Sequence, residues 1–141
     1  MPYNLLPDTA TADVAFEAKG KTLNELFESA CLATSDVMAD LKTVNPDITQ
    51  TFTKDNEKLD ALLYDVLDEL VFLKDTDNTI FCQFKIDVNE GSPNKAKVTA
   101  QGQKIDQKTM ALRNDVKAVT YHLFELKKTN AGYSAKVLLD V

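Results

Sequence analysis

The spacing of hydrophobic residues changes once along this chain, near residue 79, and that change restricts the folds open to it. Before it, Leu23, Leu26, Phe27, Ala30, Cys31, Thr34, Val37, Met38 and Leu41 recur at helical spacing. Thr22 stands at the N-cap position, and Glu25 three residues on completes a capping box. A second helix is predicted from Glu57 to Lys74, with Leu59, Leu62, Leu63, Val66, Leu67, Leu70, Val71 and Leu73 as its apolar face. Beyond residue 79 the period falls to two. Ile80, Cys82, Phe84, Ile86 and Val88 alternate with Phe81, Gln83, Lys85, Asp87 and Asn89, the pattern of a half-buried strand.

Turn residues divide what remains. Residues 12–19 read as a strand closed by Gly20, and residues 48–53 as a short β-rich strand after Pro46. The turn from Asn89 to Asn94 joins the period-two strand to a partner over residues 95–103, a hairpin with a six-residue loop. Residues 104–114 are polar and irregular. A last hairpin joins Val116–Lys127 to Tyr133–Asp140 around Thr129-Asn-Ala-Gly132. At 141 residues the chain is long enough for one core and too short for two. The expected fold is α+β: a single two-layer domain over residues 1–141 in the order β-α-β-α-β-β-β-β. Its two amphipathic helices pack on one mostly antiparallel or mixed sheet.

Several functional classes are disfavoured at once. No apolar run approaches the roughly 18 residues of a membrane span. The N-terminal stretch lacks the basic and apolar regions of a signal peptide, so a cytoplasmic location is expected. The net charge is −6, and the lysines are scattered among 22 acidic residues, which argues against direct nucleic-acid binding. A basic protein partner, or cations, suits such a surface better. Cys31 and Cys82 fall on apolar positions with no CxxC spacing, and read as core residues.

The catalytic inventory is thin. There is one histidine, no GxSxG elbow, no glycine-rich phosphate loop and four glycines in all. His122 could serve as a base, but a lone strand histidine reads first as a hydrogen-bonded structural residue. The run Asp60, Asp65, Asp68 and Glu69 reads as the solvated face of the second helix, with a partner-binding patch as the alternative. What remains is ligation by oxygen. Asp140 adjoins the α-carboxylate of Val141, and Asp13 opens the strand that begins at residue 12. Domain termini tend to lie close together. If those two strands are neighbours, Asp13, Asp140 and Val141 converge, and clustered carboxylates call for a cation of the Ca²⁺ or Mg²⁺ type.

Four blocks, in order and at matching spacing, resemble the archease family from end to end. They are Ala10-Thr-Ala-Asp-Val14 followed by Lys21-Thr-Leu-Asn-Glu-Leu-Phe27, then Leu59–Leu70, then Asp115-Val-Lys-Ala-Val-Thr-Tyr-His122, then Val137-Leu-Leu-Asp-Val141. The resemblance implies an activator of an RtcB-type RNA ligase in tRNA splicing. Such a protein promotes GTP-dependent guanylylation of the ligase and its multiple turnover, and is not itself an enzyme. Carried over by motif, a divalent metal (Ca²⁺ foremost, Mg²⁺ or Mn²⁺ as alternatives) would be held by Asp13, Asp140 and Val141. The family motif's histidine is Ala10 here, and a shifted register sets Asp8 in its place as a secondary candidate. Two other readings stand beside this one. One is a chaperone-like module for a tRNA-modifying enzyme such as a tRNA methyltransferase; the other is a small metal-dependent hydrolase using His122.

Overall fold

The structure, a computed structural model, describes residues 2–6 and 13–141. In chain order it contains β1 (Tyr3–Leu6), β2 (Asp13–Gly20), α1 (Leu23–Met38), a 3-10 turn (Leu41–Thr43), β3 (Ile48–Asn56) and α2 (Leu59–Asp77). Four long strands follow: β4 (Thr79–Asn89), β5 (Asn94–Lys104), β6 (Ala118–Thr129) and β7 (Gly132–Asp140). The α+β class and the element order after residue 12 are as expected. Both helices bury the predicted stripes, and α1 begins on its predicted cap, Thr22 Oγ1 accepting from the Glu25 amide at 3.2 Å. The return bond differs in one respect: the Glu25 carboxylate accepts from Lys21 N at 2.7 Å.

The strands form two antiparallel sheets, ordered β1-β2-β7-β6 and β3-β5-β4, and not the one sheet expected. The cause is the irregular segment that follows β5. It crosses the C-terminal end of α1, with Arg113 N and Asn114 N donating to Met38 O and Val37 O at 2.8 and 3.1 Å. The chain therefore reaches β6 on the far side of the helix, and β6 never pairs with β5. Each helix packs against strands of both sheets, which closes one hydrophobic core from Phe16 and Phe27 to Leu67, Phe81 and Leu139.

Two strand features depart from the alternating pattern. β1 has only four residues, too few for its period to register, and is tied down by Tyr3, whose hydroxyl donates to Asp36 Oδ2 at 3.0 Å. β6 carries a wide bulge. Thr120 pairs with Leu138 and Glu125 with Lys136, so four residues of β6 lie opposite Val137 alone. Leu123 within it has a φ of 58°, the left-handed region.

Candidate functional site

β2 and β7 pair antiparallel over their whole length, from Asp13 opposite Asp140 to Gly20 opposite Tyr133. The strand opening at Asp13 and the strand ending at Asp140 are thus neighbours, and the two aspartates are direct cross-strand partners. Directly opposite residues share a face of the sheet, with Cβ atoms about 4.5–5.5 Å apart. Both are half-buried. β6 fixes the backbone on the other side of β7, with Ala118 opposite Asp140 and Lys117 N donating to Asp140 O at 2.8 Å. Val141 follows directly and packs against the core.

The ladder therefore sets an acidic pair in direct cross-strand register. Like charges directly opposite each other destabilise a sheet unless something neutralises them. Among the described residues, no ion pair involves either carboxylate. No group of three or more His, Cys, Asp or Glu side chains forms among those residues either. The donor set is oxygen only: two carboxylates and the main-chain oxygens beside them. That fits a hard cation that keeps part of its water shell, as Mg²⁺ habitually does and Ca²⁺ tolerates. Asp8 and Ala10 lie outside the described residues.

Other groups from the sequence are placed elsewhere. His122 is exposed in the β6 bulge, not held in a regular ladder as a structural histidine would be. Cys31 is fully buried, and burial pushes its thiol pKa up; Cys82 is half-buried, its Sγ 3.6 Å from Gln101 O. On α2, Glu69 pairs with Lys54 at 3.0 Å and Asp65 accepts from Asn56 at 3.1 Å, while Asp60 and Asp68 are exposed.

Among the clefts open to solvent, two concern the residues above. One, of about 630 Å³, lies at the Gly20–Tyr133 end of the β2–β7 ladder and is lined by both signs of charge, including Glu17, Lys19, Lys21, Glu28 and Lys127. At about 3.3 Å per residue it lies roughly 20 Å from the aspartate pair. The other, of about 480 Å³, contains the buried ammonium of Lys74 beside Asp115. His122 lines neither.

Two arrangements had no local signal in the sequence. Lys74 pairs with Asp115 across a wide gap in the chain, in addition to its neighbour Asp75 at 2.8 Å. Tyr64 of α2 stacks on Tyr121 of the bulge, ring centroids 3.9 Å apart and planes 11° from parallel. Such pairings require knowledge of which elements meet.

Comparison with known proteins places this geometry among relatives. The model of the archease protein family matches residues 3–141. The protein archease of Methanosarcina barkeri is 37% identical over 133 residues, which cover 93% of this chain and 91% of that one. The solution structure of Methanobacterium thermoautotrophicum protein 1598 is 34% identical, with a TM-score of 0.85 and 99% of both chains covered. An archease from Thermotoga maritima, described as a possible chaperone, shares the fold at 21% identity, with a TM-score of 0.64 over 96% of each chain.

Proposed function

The chain belongs to the archease family, and on that premise we propose that it is a non-catalytic activator of an RtcB-type RNA ligase in tRNA splicing. In this reading it promotes GTP-dependent guanylylation of the ligase and sustains multiple turnover. Asp13, Asp140 and the main-chain oxygens of Val141 hold a divalent metal, Ca²⁺ foremost. The observation that carries the reading is the direct pairing of Asp13 with Asp140 across the β2–β7 ladder. A bound cation supplies positive charge that can neutralise and orient phosphate oxygens. The chain's own part is to fix two carboxylates on a rigid ladder and to carry them to the partner. Its acidic surface, at net charge −6, favours a basic protein over bare RNA.

The test is a guanylylation assay with purified ligase and GTP, with and without this chain. Asp13→Asn and Asp140→Asn should each abolish stimulation and, in EDTA, melt no lower than the parent. Full stimulation by both variants would sink the proposal. A second reading is supported by the description of the Thermotoga maritima relative as a possible chaperone. There the chain would hold a tRNA-modifying enzyme such as a tRNA methyltransferase in solution. That activity would survive chelation of divalent metal, and the ligase stimulation would not.

A further inference from the structure

The bulge of β6 leaves a surface that neither the ladder nor the core accounts for. β6 is an edge strand of its sheet. Two of the chain's exposed large hydrophobic side chains stand together on it, Tyr121 at 63% and Leu123 at 60% exposure. Tyr121 is not a loose side chain, because one of its faces lies on Tyr64 and Phe124 meets both rings edge-on. Tyr64 is in turn fixed by its hydroxyl, which donates to Val119 O at 2.9 Å. The result is a rigid aromatic step with one ring face free.

The surroundings of that step are acidic. Partial burial, then the charges of Asp65, Asp60 and Asp68, push the Tyr121 hydroxyl pKa up. The Tyr64 hydroxyl is raised by burial and by Asp68 and Asp65. Among the described residues these three aspartates form no ion pair, whereas their neighbour Glu69 does. An aromatic face beside carboxylates that lack an ion pair is the setting in which a planar guanidinium gains twice, by stacking on the ring and by pairing with carboxylate. A phosphate backbone would be repelled there.

We propose that the β6 bulge and the adjoining acidic flank of α2 form the docking surface for an arginine-bearing segment of a protein partner. The surface stands on the geometry alone; the choice of the ligase as that partner rests on the function proposed above. The two sites are close. Ala118, opposite Asp140, lies three residues before Tyr121, about 10 Å along the strand. The odd spacing sets Tyr121 on the helix-facing side of β6, and Ala118 with Asp140 on the other, so a partner seated on the bulge would reach the aspartate pair only around this edge strand.

The test titrates labelled nona-arginine and nona-lysine peptides, and a single-stranded RNA of similar length, against the full chain by fluorescence anisotropy. Arginine should bind more tightly than lysine, and RNA should not bind. The Asp65→Asn/Asp68→Asn variant should weaken both peptides by about tenfold or more. Tyr121→Ser should erase the preference for arginine, and Asp13→Asn should change nothing. Parent-like binding by the first two variants overturns the proposal. So does RNA binding that depends on Tyr121, or self-association of the chain that Tyr121→Ser removes without any peptide binding. With purified ligase, the bulge and flank variants should lose binding, while Asp140→Asn should still bind and fail to stimulate. If the peptides behave as expected but the ligase binds every variant equally, the surface stands and the ligase is removed as its occupant.

Discussion

Lys74 shows how much a single side chain can carry beyond what local sequence reveals. It is the last residue of the second helix as read from periodicity, where a lysine would ordinarily reach into solvent. The fold covers it to 6% exposure and supplies Asp115 and Asp75 as partners. Burial opposes its charge, and the bonds to the two aspartates outweigh burial, so its pKa is raised. The hydrogen bond from Lys74, then its charge, hold the Asp115 carboxyl below the usual carboxylate range. A depressed carboxyl contributes stability that is present above its unfolded pKa of about 4 and is lost as pH falls through the lower folded value. Asp115→Asn should therefore cost little, on the order of 1 kcal/mol or less, because the Asp115 carboxylate is largely exposed and screened. Urea midpoints of parent and variant should differ at pH 7 and converge as pH falls through the lowered folded value. A difference that persists unchanged at low pH would assign the effect to something other than this pair.

Residue detail of another kind appears at Thr120, where the bulge begins. Its Oγ1 is buried and has no hydrogen-bond partner among the described residues. A buried unsatisfied hydroxyl costs about 1–3 kcal/mol. Thr120→Val keeps the shape and removes that cost, so it should leave the melting temperature equal or raise it. A clear loss of stability in a calorimetric melt would show that the hydroxyl has a partner after all.

At the scale of elements, legibility followed length and regularity. The stripes of α1 and α2 run for several turns, and the alternation of β4 is long enough to fix its period, so all three were readable from residues alone. β1 has four residues and depends on a bond from Tyr3 to a helix 33 positions away, which no window can detect. Its anchor is a neutral phenol: burial first, then the bond to Asp36, push the Tyr3 pKa up to about 12. The start of α1 is the sharper case. In the sequence Gly20 marks only the close of a strand, yet a Cβ there would drive into the backbone of Glu25 and Leu26. Strand, cap and helix meet too closely for a side chain. Gly20→Ala should cost about 1–3 kcal/mol by overpacking. Gly91, in the turn between β4 and β5, meets only Pro93 O at 3.5 Å, so Gly91→Ala should be close to neutral. Chemical denaturation of the two variants side by side tests the contrast; equal losses would mean that the crowding at Gly20 is relieved by small backbone shifts.

For the molecule as a whole, the consequential feature is which strands become neighbours. Apart from the family resemblance, the sequence supports Asp13 and Asp140 as a pair only through the general closeness of domain termini. The sheet order β1-β2-β7-β6 turns that tendency into a specific register, with the aspartates opposite each other. Sequence periodicity could not supply the register, because it arises from how the second sheet and both helices fold the two strands together. That placement has a global thermodynamic consequence. The unfolded chain separates the two carboxylates, so a cation held between them binds the folded state and stabilises it by RT ln(1 + [L]/Kd), about 2.7 kcal/mol at 100-fold excess over Kd. Melts in excess EDTA, CaCl₂ and MgCl₂ should show a metal-dependent rise in Tm for the parent chain. Asp140→Asn should abolish that rise, and in EDTA it should melt no lower than the parent, since it also removes a like-charge pair from the sheet. If the rise survives in Asp140→Asn and in Asp13→Asn, the cation binds elsewhere on this acidic protein and the ladder pair is structural.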